Sequence, residues 1–360
     1  MRPTLKAGLS RAWRDQQALQ FGTAPERAHV VDHADALFCA FLGLLDGERD
    51  RPAVTQASEG LGLAPGYVDE ALRSLEGAGL LDDTLAAEQA LAGYSQLRRE
   101  LLGPDLASLS LLHPAPGDGA RVLRRRFTAR VEVRGAGRIG AAVAAVLAAA
   151  GVGTVEVADQ GRVTAGDCAP AGIPVQDIGR SRAAAAREAV RRAAGAPLAG
   201  AVPDAAPPDR GAPPDLVILA PRDGTGAFAG DAVQARQLMR ADVPHLYVGV
   251  VEHLGVVGPL VLPGASACGG CVALARTDRD GAWPQLLAQL AAEGPGRPRE
   301  PACDGAVASA VAGLAGLHAL LHLDGDRPPS IDGWCEVSAA DGMVRRLRLP
   351  PHPDCGCFWR

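Results

Sequence analysis

Two tight pairs of cysteines are the clearest chemical feature of this 360-residue chain: Cys268-Gly-Gly-Cys271 and Cys355-Gly-Cys357. A Cys-Gly-Gly-Cys turn can aim two thiolates at one tetrahedral ion, and its glycines permit the backbone path this requires. The second pair has one residue between its sulfurs, a tighter ring that is still feasible, and His352 lies close enough in sequence to replace one cysteine. Structural zinc on Cys268, Cys271, Cys355 and Cys357 would staple the C-terminal tail to the domain; the alternative is dispersed free thiols. No open coordination position is implied, so catalytic zinc is not expected. Cys39, Cys168, Cys303 and Cys335 stand alone. Cys303 precedes a helix of small residues and is the one candidate nucleophile, but no base lies near it and buried cysteine is common. No catalytic residue is therefore assigned.

The second feature is "VEVRGAGRIG", an apolar strand running into Gly135, Gly137 and Gly140 ahead of a helix. Glycines so placed allow a tight turn and let a phosphate approach the helix N-terminus. Asp159 ends the next strand, where an acid can accept a ribose hydroxyl. A glycine turn kept only for packing would read the same way.

The elements that must position these residues follow from periodicity. "RVEVRG", "TVEVAD", "DLVILA" and "HLYVGVVE" are apolar strands separated by helical patterns, which implies a mostly parallel sheet covered by helices. Residues 84–127 read as a connector with one helical stretch and a Pro/Gly-rich end. Before it, "ALQFG" and "HVVDHA" read as short strands, and three helical patterns follow, the first placing Leu37, Phe38, Phe41, Leu44 and Leu45 on one face. Short strands with three small helices fit a winged helix-turn-helix. The expected organisation is 1–83, 84–127 and 128–360.

Charge decides against the usual use of that winged fold. Residues 1–83 carry eight Lys/Arg against thirteen Asp/Glu, and the third helical pattern holds Asp69, Glu70 and Glu76 against Arg73. Non-specific DNA affinity comes mainly from neutralised phosphates, which this surface would repel. An exposed strand edge beside a helix can instead accept an extended peptide. The candidate contacts are Val30, Val31 and His33 on the strand, with Tyr67, Ala71 and Leu75 at helical spacing opposite. The whole chain has a net charge of −5 and a single lysine, Lys6. The apolar run 139–152 is too short to span a bilayer, and no leader is apparent. A cytoplasmic protein without membrane or nucleic-acid partners is expected.

"RPTLKAGL", "LLDGERD" and "VDEALRSLEGAGLLDD" together resemble the PqqD-like element that holds the leader of a ribosomally made precursor peptide. Over 128–360, the glycine turn, "DIGRSRAAAAREAVRRA", "VVGPLVLPGASACGGC" and "PHPDCGC" resemble the ThiF/MoeB adenylating family, with its ubiquitin-activating-enzyme-like fold. That resemblance implies a Rossmann-type sheet, adenylation of a peptide or small-protein C-terminus with ATP and magnesium, a homodimer and a four-cysteine zinc site. Several positions depart from the family pattern. Gly161 replaces its second acid, Asp167 its asparagine, Pro170 a triphosphate-contacting arginine and Arg182 a lysine, while Arg222 aligns with a magnesium-ligating acid, with Asp223 one residue late. These departures imply a vestigial nucleotide site at Gly135, Gly137, Gly140, Asp159 and Arg182, with ATP and magnesium not expected to bind. The combination resembles the leader-binding partners of azole- and thiopeptide-type cyclodehydratases. The expectation is a non-catalytic protein that delivers a leader peptide to a separate YcaO-type enzyme; the alternative is an active ATP-dependent adenylyltransferase.

Overall fold

The computed structural model describes residues 1–195, 213–222, 226, 232–292 and 302–357. Asp223 lies outside them. The chain divides into two compact units, Met1–Arg125 and Arg126–Arg360.

In the first unit, β1 (Pro3–Leu5), β2 (Arg11–Trp13), β3 (Leu19–Phe21) and β4 (His29–Val31) precede three helices: α1 (Ala36–Leu44), α2 (Arg51–Gly60) and α3 (Pro65–Gly77). Strand β5 (Leu81–Asp83) and helices α4 (Thr84–Ala90), α5 (Gln96–Leu112) and α6 (Asp118–Thr128) follow. The helix starts are set locally. The Asp35 carboxylate accepts from the Phe38 amide and that of Asp50 from the Ala53 amide, satisfying first-turn donors. The strands do not form one continuous sheet. β1 pairs antiparallel with β5, while β2, β3 and β4 make a separate three-stranded sheet.

The apolar face of α1 buries Phe38, Phe41 and Leu42, with Leu45 beyond its end, against Phe21, Val54, Leu72 and Leu75. Full burial of a side chain such as Phe41 contributes about 1.5–3 kcal/mol. Leu37 is exposed, at the margin of the arc that Phe38, Phe41, Leu42 and Leu45 define. Lys6 is buried here: its ammonium donates to the carbonyls of Ser110 and Pro114, the latter at 2.9 Å, at the C-terminal end of α5. A cation is favoured at that end of a helix.

The second unit is built on one seven-stranded sheet. Strand β6 (Arg130–Arg134) leads to α7 (Gly140–Ala149), β7 (Thr154–Ala158), α8 (Arg182–Ala193) and β8 (Leu216–Leu219). Next come α9 (Ala232–Arg240), β9 (His245–Val251), β10 (Leu254–Val261), α10 (Gly269–Arg279), α11 (Trp283–Ala292), α12 (Gly305–Asp324), β11 (Gly333–Ser338) and β12 (Val344–Arg348). The strand order is β12-β11-β10-β9-β8-β6-β7. β7, β6, β8 and β9 are mutually parallel, as their apolar runs and intervening helices imply; β10, β11 and β12 add antiparallel.

Helices α7 and α12 are rich in Ala and Gly and pack together over the sheet. A Cβ on Gly316 would stand 2.6 Å from the Val146 side chain, so the two helices approach closely. α12 is long and apolar enough to cross a membrane by length and composition. Half of its most apolar window is nevertheless buried, and Val311, Ala312, Ala315 and Ala319 lie in the core.

Candidate functional site

Strand order reverses around β6: the chain leaves β6 for β7 on one side and returns through α8 to β8 on the other. Ligands of open α/β sheets bind at such a switch point, beyond the carboxyl ends of the strands. The glycine turn lies there. Gly135 has φ 104°, and a Cβ on it would fall 2.0 Å from the Ala220 carbonyl at the end of β8. A Cβ on Gly140 would fall 2.0 Å from the Gly135 carbonyl. Both positions require glycine for the close approach of backbone to backbone. At Gly137 the nearest atom would be Cγ of Arg222, at 3.5 Å.

Two carboxylates and two guanidiniums gather beside this turn. Asp159 accepts from the Ala136 amide at 2.8 Å, the Gly161 amide at 2.7 Å and Arg182 Nε at 3.0 Å. Asp167 accepts from the Thr164 amide and hydroxyl, both at 2.8 Å, and from Arg222 Nε at 2.6 Å, with Arg182 Nη1 3.7 Å away. Burial works to raise the Asp167 pKa, but these amide, guanidinium and hydroxyl donors outweigh it and hold the carboxyl below its ordinary range. Gly161 sits directly beneath the Arg182 guanidinium: a Cβ there would fall 2.1 Å from Arg182 Nη2 unless that side chain moved. Asp159 is thus turned toward the turn's own backbone, and Asp167 is the pivot between the two arginines. Pro170 is exposed, in a turn closed by hydrogen bonds between Ala169 and both Ile173 and Gly172.

Arg138 donates to the carbonyls of Gly166 and Cys303, at 3.2 and 2.7 Å. It ties the glycine turn to the start of α12 through the Cys303 backbone. The Cys303 thiol packs against the core, and burial raises its pKa, so nothing activates it as a nucleophile.

The four paired cysteines converge at the N-terminus of α10. All four Sγ atoms lie within 4.8 Å of one another, with Cys268 and Cys355 3.5 Å apart and Cys271 and Cys357 3.6 Å apart. A tetrahedron of thiolates at the usual Zn–S bond length has edges of about 3.8 Å. Gly356 has φ 70°, which lets a single residue separate the second pair, and a Cβ on Gly270 would fall 2.9 Å from the Cys355 sulfur. A hydrogen bond from Cys268 leads the causes that lower the Cys271 pKa. His352 does not replace a cysteine. Its backbone amide donates to Cys271 Sγ at 3.3 Å, while its ring pairs with Asp278 at 2.9 Å.

In the first unit, β4 pairs with β3 and forms one edge of its sheet, and Val30 and Val31 are half-buried along it. His33 is exposed at φ 58° and Tyr67 is 44% exposed. Ala71 is partly buried against the core, and Leu75, only 3% exposed, lies within it. The expectation that Leu75 lines a groove is corrected: it faces inward with Leu72.

A glycine turn at the switch point of a parallel sheet, beside two buried carboxylates and followed by a four-sulfur cluster, defines a Rossmann-type α/β protein. Residues 111–357 match the ThiF family, and the chain belongs to it. No curated protein sequence matches. The chain is similar in structure to E. coli MccB solved with AMPCPP and MccA, at TM-score 0.68 and 14% identity over 99% of both chains. It is similar to the microcin C7 biosynthetic enzyme MccB in complex with N-formylated MccA, at TM-score 0.65 and 14% identity over 99% of both chains. It also resembles PaaA, at TM-score 0.67 and 17% identity over 96% of this chain and 100% of that one.

These likenesses correct two expectations. The non-catalytic scaffold serving a YcaO-type enzyme gives way, because a chain of this fold, matched from end to end, is described as a biosynthetic enzyme. The expectation against ATP also gives way, because MccB of this fold was solved with ATP.

Proposed function

We propose that this chain is an ATP-dependent adenylyltransferase acting on the C-terminus of a peptide. The observation that carries the reading is the glycine turn at the switch point, flanked by Arg182 and Arg222, in a chain whose fold runs end to end with MccB solved with AMPCPP and MccA. In such a reaction the peptide carboxylate attacks the α-phosphorus of ATP. A C–O–P mixed anhydride forms, the Pα–O–Pβ bond breaks, and pyrophosphate leaves. Charge builds on the departing phosphates, and fixed cations aimed there favour the transition state. The chain's own part is to hold the nucleotide against the glycine turn and to set guanidiniums beside it.

The first unit would hold the rest of the peptide as a PqqD-like recognition element, with the β4 edge as the pairing strand. The free edge of a three-stranded sheet supports this, since main-chain pairing is how an extended peptide adds to a sheet. Zinc would occupy the four-cysteine cluster as a structural ion. The sulfur spacing supports this, as does the donor set of four thiols, which suits a closed tetrahedral site.

Exchange of labelled pyrophosphate into ATP tests the activity. Exchange should appear on adding a peptide with a free C-terminal carboxylate and should vanish with its C-terminal amide. Absence of exchange across a panel of free-acid peptides that bind the protein would refute the adenylating reading.

A further inference from the structure

We propose that Arg222 meets the phosphates of the nucleotide in this chain, in the role a carboxylate-held magnesium ion would otherwise fill; the proposal rests on the adenylating reading above. Among the described residues, those beside the glycine turn do not fit a protein-bound magnesium ion. Such an ion takes near-octahedral oxygen ligands, one or two of them carboxylates. The two buried carboxylates here are already engaged. Asp159 serves two backbone amides and Arg182, while Asp167 serves the Thr164 amide and hydroxyl and Arg222. A dication on either oxygen set would have to displace a guanidinium and face the remaining N–H donors.

Arg222 is placed to do the ion's work. Its Nε donates to Asp167 at 2.6 Å and its Nη2 to the Thr164 hydroxyl at 2.9 Å. Nη1 makes no hydrogen bond among the described residues, so part of the guanidinium fork remains for an incoming oxyanion. The side chain lies along Gly137, the middle glycine of the turn, ahead of the N-terminus of α7. It is also the more reachable of the two arginines: the Arg222 side chain is 39% exposed, against 16% for Arg182. Arg182 serves as the internal tie. Arg222 is the outer, half-fixed donor, oriented by a buried carboxylate that stays in place when phosphate arrives. Guanidinium recognises phosphate by paired N–H donors, a geometry a lysine cannot copy.

Titration calorimetry of the full chain tests this with ATP, tripolyphosphate and AMP, each in EDTA and in excess magnesium. The wild type should bind ATP and tripolyphosphate in EDTA with affinity comparable to that in magnesium. Arg222→Ala should weaken both by roughly ten- to a hundredfold, the scale of charge-assisted hydrogen bonds, and should leave AMP nearly unchanged. Arg222→Lys, which keeps the charge and loses the fork, should fall between the two and provides a folded comparison if the alanine variant is unstable. ATP affinity that requires magnesium and is unmoved in both variants would overturn the proposal while leaving adenylation intact. Failure of the wild type to bind ATP in either buffer would overturn both readings.

Discussion

Asp167→Asn is the sharpest test of how the charged cluster is held. The wild-type carboxylate is almost fully buried, and its two oxygens accept three hydrogen bonds from Thr164 and Arg222. Asparagine keeps the volume but has one acceptor oxygen; its amide nitrogen must face either the Thr164 donors or the Arg222 guanidinium. Facing Thr164 would leave two donors, its backbone amide and hydroxyl, without their acceptor, so the side-chain oxygen should stay there and the bond to Arg222 should be lost. A hydrogen bond to a charged group contributes about 1.5–3 kcal/mol. Arg222 is more than one-third exposed and can turn to water, so the expected loss is near the lower end, about 2 kcal/mol. The assay is urea unfolding followed by tryptophan fluorescence, since Trp334 is buried in this unit. The sign with pH follows from the lowered Asp167 pKa. The carboxylate's contribution is present above its unfolded value of about 3.9 and is lost as pH falls through its lower folded value. The gap between wild type and variant should therefore be full at pH 7 and shrink below about pH 4. A variant as stable as wild type at pH 7, or a gap unchanged at pH 3, would refute this account of the cluster.

Three further outcomes are expected. Asp324→Ala should cost about 3–5 kcal/mol, because it leaves the Arg126 guanidinium buried without the carboxylate it pairs with at 2.8 and 2.6 Å. The double change Arg126→Met, Asp324→Leu should recover most of that loss in the same unfolding assay. Cys268→Ser or Cys355→Ser should lower the zinc bound per chain, measured by atomic absorption after gel filtration; full zinc in the double variant would remove the four-sulfur assignment. Lys6→Met should destabilise the first unit by about 1–3 kcal/mol, because it strips a donor from the buried Ser110 carbonyl and from that of Pro114, and circular dichroism during thermal unfolding should show an earlier transition.

The strands of the parallel half could be read from composition because they are buried on both faces. β8 is Leu-Val-Ile-Leu, a run with no polar residue to obscure it. The stretch 86–102 reads as one helix but is two, α4 and α5, and Pro104 sits inside α5, whose packed face outweighs the penalty of an interior proline. The antiparallel β10–β12 were missed because β10 joins β11 across about 80 residues and β12 is largely exposed, without the apolar run that marks the parallel strands. At the site, the need for glycine at 135 and 140 was legible, since it is set by backbone sterics, whereas Asp159, read as a partner for a ribose hydroxyl, accepts from the Ala136 and Gly161 amides and from Arg182. Arg222 was legible as a residue but not as a partner. That it faces Asp167, 55 positions away, depends on β8 and β7 ending side by side around β6. The departures at Gly161, Pro170, Arg182 and Arg222 together point away from ATP, while the fold shared with MccB at 14% identity leaves little trace in a single sequence.

The close seat of α7 against α12 makes this core respond to substitution in an inverted way. In cores of Leu and Phe, trimming a side chain is the damaging change, because the space it leaves stays empty. Where Ala and Gly line both helices there is little to trim, and replacement by a still smaller residue leaves almost no void. Enlargement is the hazard: a methyl group on Gly316 would have to displace Val146, and the shift would pass along both helices to their ends. One of those ends is the glycine turn that begins α7, and the other is the start of α12, held to that turn through Arg138. Added bulk far from the glycine turn is therefore the kind of variation this domain is least able to absorb silently.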